Sequence, residues 1–180
     1  MATYKGIKGY KKGTKGIEGD YELGFQIVDY QSLAVRHSID NKRCVLLSPT
    51  ASGKSLIIYY LIRYYLPEKA LVIVPTLSLV SQMYSDFEAY AKIDDTFVVE
   101  ESVHKIYGGQ EKQTDKPIII STWQSLYELN KDFFSDFSLV IGDEAHLYKA
   151  RSLTKILKNL EKSCLIMLTS QYCLKYLELM

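Results

Sequence analysis

Five short, continuously apolar runs place the tightest limit on what this chain can fold into: CVLL (44–47), ALVIV (70–74), IIIS (118–121), SLVI (138–141) and CLIML (164–168). Each has the length of a strand, and none shows the in–out alternation of a sheet with one wet face. Strands of this kind are covered on both faces, as in parallel sheets whose crossovers are helices. The intervening segments supply those helices. DYQSLAVRHSIDN (29–41) reads as a helix with Asp29 as its N-cap. GKSLIIYYLIRYYL forms another, ended by Pro67. Thr76 caps a third over 77–91, whose Leu79, Val80, Met83 and Phe87 share one face. A weaker strand near VHKIY follows, then a short helix from Thr122 to Leu129. A helix near 151–161 carries Leu153, Ile156, Leu157 and Leu160 at i, i+3, i+4, i+7, and 171–179 forms a last one. The expected fold is a single α/β domain, a mostly parallel sheet with helices on both faces.

Composition agrees with one domain. The chain has 180 residues, 47% of them hydrophobic, enough for one real core and hardly for two. No apolar run approaches the ~20 residues of a membrane span, and the N-terminus is not signal-like, so a soluble, intracellular protein is expected. Cys44, Cys164 and Cys173 lack metal-ligand spacing; the first two lie in strand-like runs and are expected as buried thiols. Residues 1–24 stand apart as a basic, glycine-rich arm. Five lysines against Glu18 and Asp20 give residues 1–20 a charge of +3, and the remainder carries −2. A mobile arm or irregular hairpin is the plain reading, a phosphate-contacting arm the functional one. The domain is then 25–180.

The chemistry starts at SPTASGKS (48–55), between the first apolar run and the helix after it. A loop that turns from strand to helix presents backbone N–H groups, and the helix N-terminus favours anions. Thr50, Ala51, Ser52 and Gly53 form that loop, Lys54 can reach outer phosphates, and Ser55 can hold Mg²⁺. Ser48 occupies the position where the common phosphate-loop pattern has glycine. A second signal lies 89 residues after Lys54: GDEAH puts Asp143 and Glu144 just past a buried strand. At the carboxyl edge of a parallel sheet both motifs face one crevice. There Asp143 can anchor Mg²⁺, and Glu144 can orient or deprotonate a water. The metal set is then Ser55 and Asp143, the catalytic set Lys54, Asp143 and Glu144. An ordinary strand–helix turn and a solvated acidic turn are the bland alternatives.

Together, SPTASGKS and DEAH resemble motifs I and II of the superfamily 2 helicases and translocases, where the first glycine of the loop is often replaced. Within that superfamily the chain looks most like the UvsW-type helicases of tailed phages, over roughly residues 26–170. The resemblance implies a RecA-like domain that uses ATP and Mg²⁺, and a nucleic-acid partner, DNA in preference to RNA. VDYQ resembles the segment whose glutamine reads adenine, giving that role to Gln31. VPTLSLVSQM, YGG and ISTWQSL resemble backbone-contacting motifs, pointing to Pro75, Thr76, Gly108, Gly109 and Thr122. His146 would couple nucleotide state to the strand ending at Thr169. Trp123 can stack on a base or pack beneath the Thr122 turn, and packing is the expectation. The tyrosines at 59, 60, 64 and 65 cover more than one helix face and are expected in core and half-buried positions.

LTSQ (168–171) departs from the family pattern after Thr169, which puts the roles of Ser170 and Gln171 in doubt. No arginine follows Arg151, and no second RecA-like lobe is recognisable. An arginine finger contributes about 10³–10⁵ in phosphoryl-transfer rate, so this lobe is expected to bind nucleotide better than it hydrolyses it. The expected function is the first motor lobe of an ATP-dependent DNA helicase or translocase in recombination or repair, completed by a second lobe from a longer parent chain or another subunit. A non-catalytic nucleic-acid-binding or regulatory module is the alternative. A small-molecule phosphotransferase would need an acceptor pocket that the sequence does not suggest.

Overall fold

A computed structural model describes residues 10–11, 20–21, 27–65, 68–94, 96–108, 113–127, 129–147, 156, 158, 160 and 163–171. The elements are β1 (Tyr10–Lys11), β2 (Asp20–Tyr21), α1 (Asp29–Asn41), β3 (Arg43–Leu47), α2 (Lys54–Tyr65), β4 (Ala70–Val74) and α3 (Leu77–Ala91). After them come α4 (Val99–Ser102), β5 (Val103–Ile106), β6 (Ile118–Thr122), α5 (Trp123–Tyr127), β7 (Leu139–Gly142) and β8 (Cys164–Thr169). Short 3₁₀ turns at Lys131–Phe134 and Ala145–Leu147 flank β7. β1 and β2 pair antiparallel, and the rest of the N-terminal arm lies outside the described residues. So do most of the helix expected near 151–161 and all but the first residue of the one expected at 171–179.

The main sheet has six strands in the order β3-β8-β7-β4-β6-β5, and every pairing is parallel. Period-two alternation sends its side chains into two cores. Cys44, Leu46, Val72, Val74, Ile120, Ile141 and Ile166 face α1, α2 and α3 on one side. Leu71, Ile73, Ile119, Val140 and Leu165 meet Leu126, Phe134, Ile156 and Leu160 on the other. β4, β6 and β7 are buried at every residue, as continuous apolar runs require. The two marginal strands of the described sheet are less covered: β3 buries Cys44 and Leu46 but leaves Leu47 exposed, and β5 buries only Val103 and Ile106.

α2 is buried on nearly all sides, with Ile57 through Arg63 inside, since it packs between the sheet, α1 and α3. Tyr59 and Tyr60 are core residues and Tyr64 and Tyr65 half-buried, as expected. Cys44 is a buried thiol, Cys164 is half-buried, and Cys173 lies outside the described residues. Thr76 caps α3, its hydroxyl accepting from the Leu79 N–H at 3.3 Å. Two helix ends differ from expectation. Asp29 is the first residue of α1 rather than its cap; the Val28 N–H instead donates to Gln31 Oε1 at 3.3 Å, so a side chain one turn in holds the entry. α5 spans Trp123–Tyr127 rather than 122–129, with Thr122 accepting from the Ser125 N–H at 3.3 Å. Trp123 is half-buried against the second core, which gives it the packing role.

Candidate nucleotide site

The loops after β3, β7 and β8 meet at the carboxyl edge of the sheet. β8 lies between β3 and β7, and the Ser48 N–H donates to Thr169 O at 2.9 Å, tying the first loop to the last strand. Two loop residues sit in left-handed backbone, Ala51 (φ 62°) and Gly53 (φ 73°). Gly53 O accepts from the Leu56 and Ile57 N–H groups at 3.0 and 3.2 Å, so α2 opens directly out of the loop and directs its N-terminus at the crevice. Ser48 and Ser52 hydrogen-bond through their hydroxyls, a use for the serine that replaces glycine at 48.

Thr50, Ala51, Gly53, Lys54, Ser55, Asp143 and Glu144 line one cavity of about 440 Å³, so two motifs 89 residues apart share a wall. Lys54 Nζ lies 2.8 Å from Glu144 Oε1 and 3.4 Å from Pro49 O. Glu144 has φ 48°, a left-handed conformation uncommon outside glycine, of the kind that turns and functional sites retain. Burial raises its carboxyl, but hydrogen bonds from Lys54 and Ser170 and the Lys54 charge outweigh that and hold it below the usual range. Asp143 goes the other way. It is 5% exposed, and burial together with the Glu144 charge pushes it up to about 6 despite Lys54.

The direction for Asp143 has a stability consequence. Its folded pKa stands above the ordinary 3.8, so between those values the folded lobe binds more protons than the unfolded chain. Without nucleotide, this group should make the lobe about 1 kcal/mol more stable at pH 5 than at pH 7. Urea unfolding at both pH values checks this, and Asp143→Asn should remove the gain.

Gln31 braces the loop from α1 through Ser52. Gln31 Nε2 donates to Ser52 O at 3.0 Å, and the Tyr30 hydroxyl donates to the same oxygen at 2.6 Å. A Cβ on Gly53 would come within 2.4 Å of Gln31 Nε2. That amide moves only by breaking its bond to Ser52 and the one from Val28, and alanine would also be strained at this φ. Gly53→Ala should therefore cost at least ~1 kcal/mol of stability, seen as a lower thermal midpoint. Adding Gln31→Ala should restore only part of it, since the backbone strain remains.

On the other side, His146 Nδ1 lies 2.9 Å from Thr169 Oγ1 and 3.2 Å from Glu144 Oε2. Ser170, where the family pattern fails, donates to Glu144 Oε2 from its hydroxyl at 2.8 Å and its N–H at 3.3 Å. Sequence reading missed Ser170 and Tyr30, since neither contact follows from local spacing. Pro75, Thr76, Gly108 and Thr122 line a second cavity of about 510 Å³ with Leu77, Gln124 and Ser125. Four of the five candidate backbone-contacting residues thus come together; Gly109 lies outside the described residues.

An all-parallel sheet with a phosphate-type loop and an acidic pair on one edge is the fold of a RecA-like helicase lobe. The family described as "Type III restriction enzyme, res subunit" (ResIII) matches residues 24–171, and the chain belongs to that family. The ATP-dependent DNA helicase UvsW of Enterobacteria phage T4 is 38% identical over an alignment of 138 residues that covers 73% of this chain and 26% of that protein. DNA 3'-5' translocase XPB2 of Sulfurisphaera tokodaii is 27% identical over 121 residues, 67% of this chain and 25% of that one. The crystal structure of the bacteriophage T4 UvsW helicase aligns with a TM-score of 0.74 at 31% identity, covering 93% of this chain and 57% of the other. The chain spans about a quarter of the length of these curated relatives.

Proposed function

We propose that this chain is the ATP-binding motor lobe of a DNA helicase or translocase that acts in recombination or repair. The observation that carries the reading is the shared cavity: a helix N-terminus, the Lys54 ammonium, the hydroxyls of Thr50 and Ser55 and the carboxylates of Asp143 and Glu144, with Asp86 of α3 as a third, converge on one space. That donor set fits a triphosphate with a divalent cation. Thr50 to Gly53 would cradle phosphate through backbone N–H groups, Lys54 would hold outer phosphate oxygens, and Ser55 and Asp143 would hold Mg²⁺. Bound Mg²⁺ would neutralise charge developing on the phosphates. Glu144, with its carboxyl kept ionised, would orient the attacking water, and Gln31 would read adenine while bracing the loop. His146 and Thr169 would carry the state of Glu144 into β8.

The second cavity supports a nucleic-acid track, because α3 begins there and small residues leave its N–H groups accessible to phosphate. DNA is the favoured strand, by similarity to relatives named for DNA. No arginine lines the nucleotide cavity among the described residues, so we infer that fast turnover needs a second RecA-like lobe, from the same or another chain. Steady-state ATP hydrolysis by the 180-residue chain, with and without single-stranded DNA, tests this. ATP binding with slow turnover that DNA accelerates supports it. Failure to bind ATP overturns it.

A further inference from the structure

One contact of the nucleotide cavity has no part in the roles assigned above. Ser55 Oγ lies 2.9 Å from the hydroxyl of Tyr90, near the end of α3. The same helix lines the cavity with Leu79, Gln82, Met83 and Asp86. Its opening residues, Thr76 and Leu77, line the second cavity. α3 therefore runs from the candidate nucleic-acid groove, along the nucleotide cavity, to the serine that would hold the cation. Tyr90 is not loosely placed: its ring packs edge-on against Tyr59 at 5.3 Å, and Tyr59 in turn donates to Asp94 at 2.9 Å.

We propose that Tyr90 is a latch on the nucleotide site. Its hydroxyl holds Ser55 turned toward α3, and the Ser55 hydroxyl must leave Tyr90 before it can serve a cation beside Asp143. Loading with Mg²⁺ and nucleotide thus releases one end of a helix whose other end lines the groove. The Ser55 side chain pivots on a single torsion with three staggered wells, and the latch holds it in the well that meets Tyr90. Turning Ser55 from Tyr90 to the cavity therefore exchanges one partner for the other. The latch rests on the nucleotide-site reading above, and it makes Tyr90 a positioning residue rather than a catalytic one.

The test is binding of a fluorescent ATP analogue to the full chain, with Mg²⁺ and with EDTA, for wild type, Tyr90→Phe, Ser55→Ala and the double variant. Phenylalanine keeps the ring packing and removes only the hydroxyl. Releasing a typical hydrogen bond should tighten Mg²⁺-dependent binding of Tyr90→Phe by about 3- to 10-fold and leave binding in EDTA unchanged. In the Ser55→Ala background the same substitution should have no effect, because the latched group is gone. Unchanged or weaker Mg²⁺-dependent binding by a Tyr90→Phe chain with wild-type thermal stability overturns the latch alone. So does equal tightening with and without Ser55. Wild type that fails to bind the analogue overturns the nucleotide-site reading, and the latch with it.

Discussion

Lys54→Ala is expected to weaken ATP binding by at least about 100-fold, the largest functional effect of any single substitution in this lobe. Two terms combine. The ammonium would supply charge-assisted hydrogen bonds to phosphate, each worth about 1.5–3 kcal/mol. In the structure the same ammonium lies 2.8 Å from Glu144 and lowers both carboxyls of the acidic pair. Without it, Asp143 and Glu144 face an incoming triphosphate as uncompensated negative charge. The second term separates this account from a simple loss of contact. Glu144→Gln removes the group with which phosphate must compete for Lys54, so it should bind ATP several-fold more tightly while hydrolysis falls away. Calorimetric titration of both variants at pH 7.5 decides the matter. Near-normal binding by Lys54→Ala, or weaker binding by Glu144→Gln, would show that Lys54 is structural.

Much of this architecture could be read before any coordinates. The apolar runs at 70–74, 118–121, 138–141 and 164–168 became strands because a strand covered on both faces has no polar alternation to disguise it. SPTASGKS and DEAH could be placed on one edge because chain direction puts every β-to-α loop of a parallel sheet there. The strand order was less accessible. β4 lies between β6 and β7, and β3 lies at the margin, yet the marginal strand is as apolar in sequence as its neighbours. Its place shows only in its burial, with Leu47 exposed and Arg43 and Val45 half-buried.

Within the site, residue types were legible and their partners were not. That Glu144 belongs to the crevice follows from the strand before it. That it would be shared among Lys54, Ser170 and His146 depends on β8 lying between β3 and β7, a long-range arrangement with no local signature. Tyr30 was read only as the neighbour of Gln31, yet its hydroxyl joins the amide on Ser52 O across 22 residues of chain. Family patterning left Ser170 in doubt, because departure from a consensus says nothing about whether the substituted side chain finds a partner.

A pair that no motif announces should govern stability. Asp94, 2% exposed, accepts from Arg63 Nε at 2.6 Å, Arg63 Nη2 at 3.4 Å, the Tyr59 hydroxyl at 2.9 Å and the Thr96 hydroxyl at 2.6 Å. Burial alone would raise its carboxyl. The hydrogen bonds from Thr96 and Tyr59, with the Arg63 charge and hydrogen bond, win and hold it below the usual range. A depressed carboxyl contributes stability above its unfolded pKa and loses it as pH falls through the folded value, here below 3.8. At neutral pH the contribution is fully present. Asp94→Ala leaves the Arg63 guanidinium buried without its counter-charge and strips the Tyr59 hydroxyl of its acceptor, so a loss of about 3–5 kcal/mol is expected. That is a large share of the ~5–15 kcal/mol that holds a domain together. Arg63→Ala alone should cost a similar amount, and the double variant much less than the sum, since the second removal deletes a charge already stranded. Urea unfolding of the four chains measures this coupling. The consequence reaches the nucleotide site, because Arg63 lies in the last turn of the helix that begins at Lys54, and Asp94 follows the helix that carries Tyr90. Destabilising this pair should loosen α2 against α3 and so weaken ATP binding without touching a phosphate contact. Additive losses in the double variant would reduce Arg63 and Asp94 to independent packing residues.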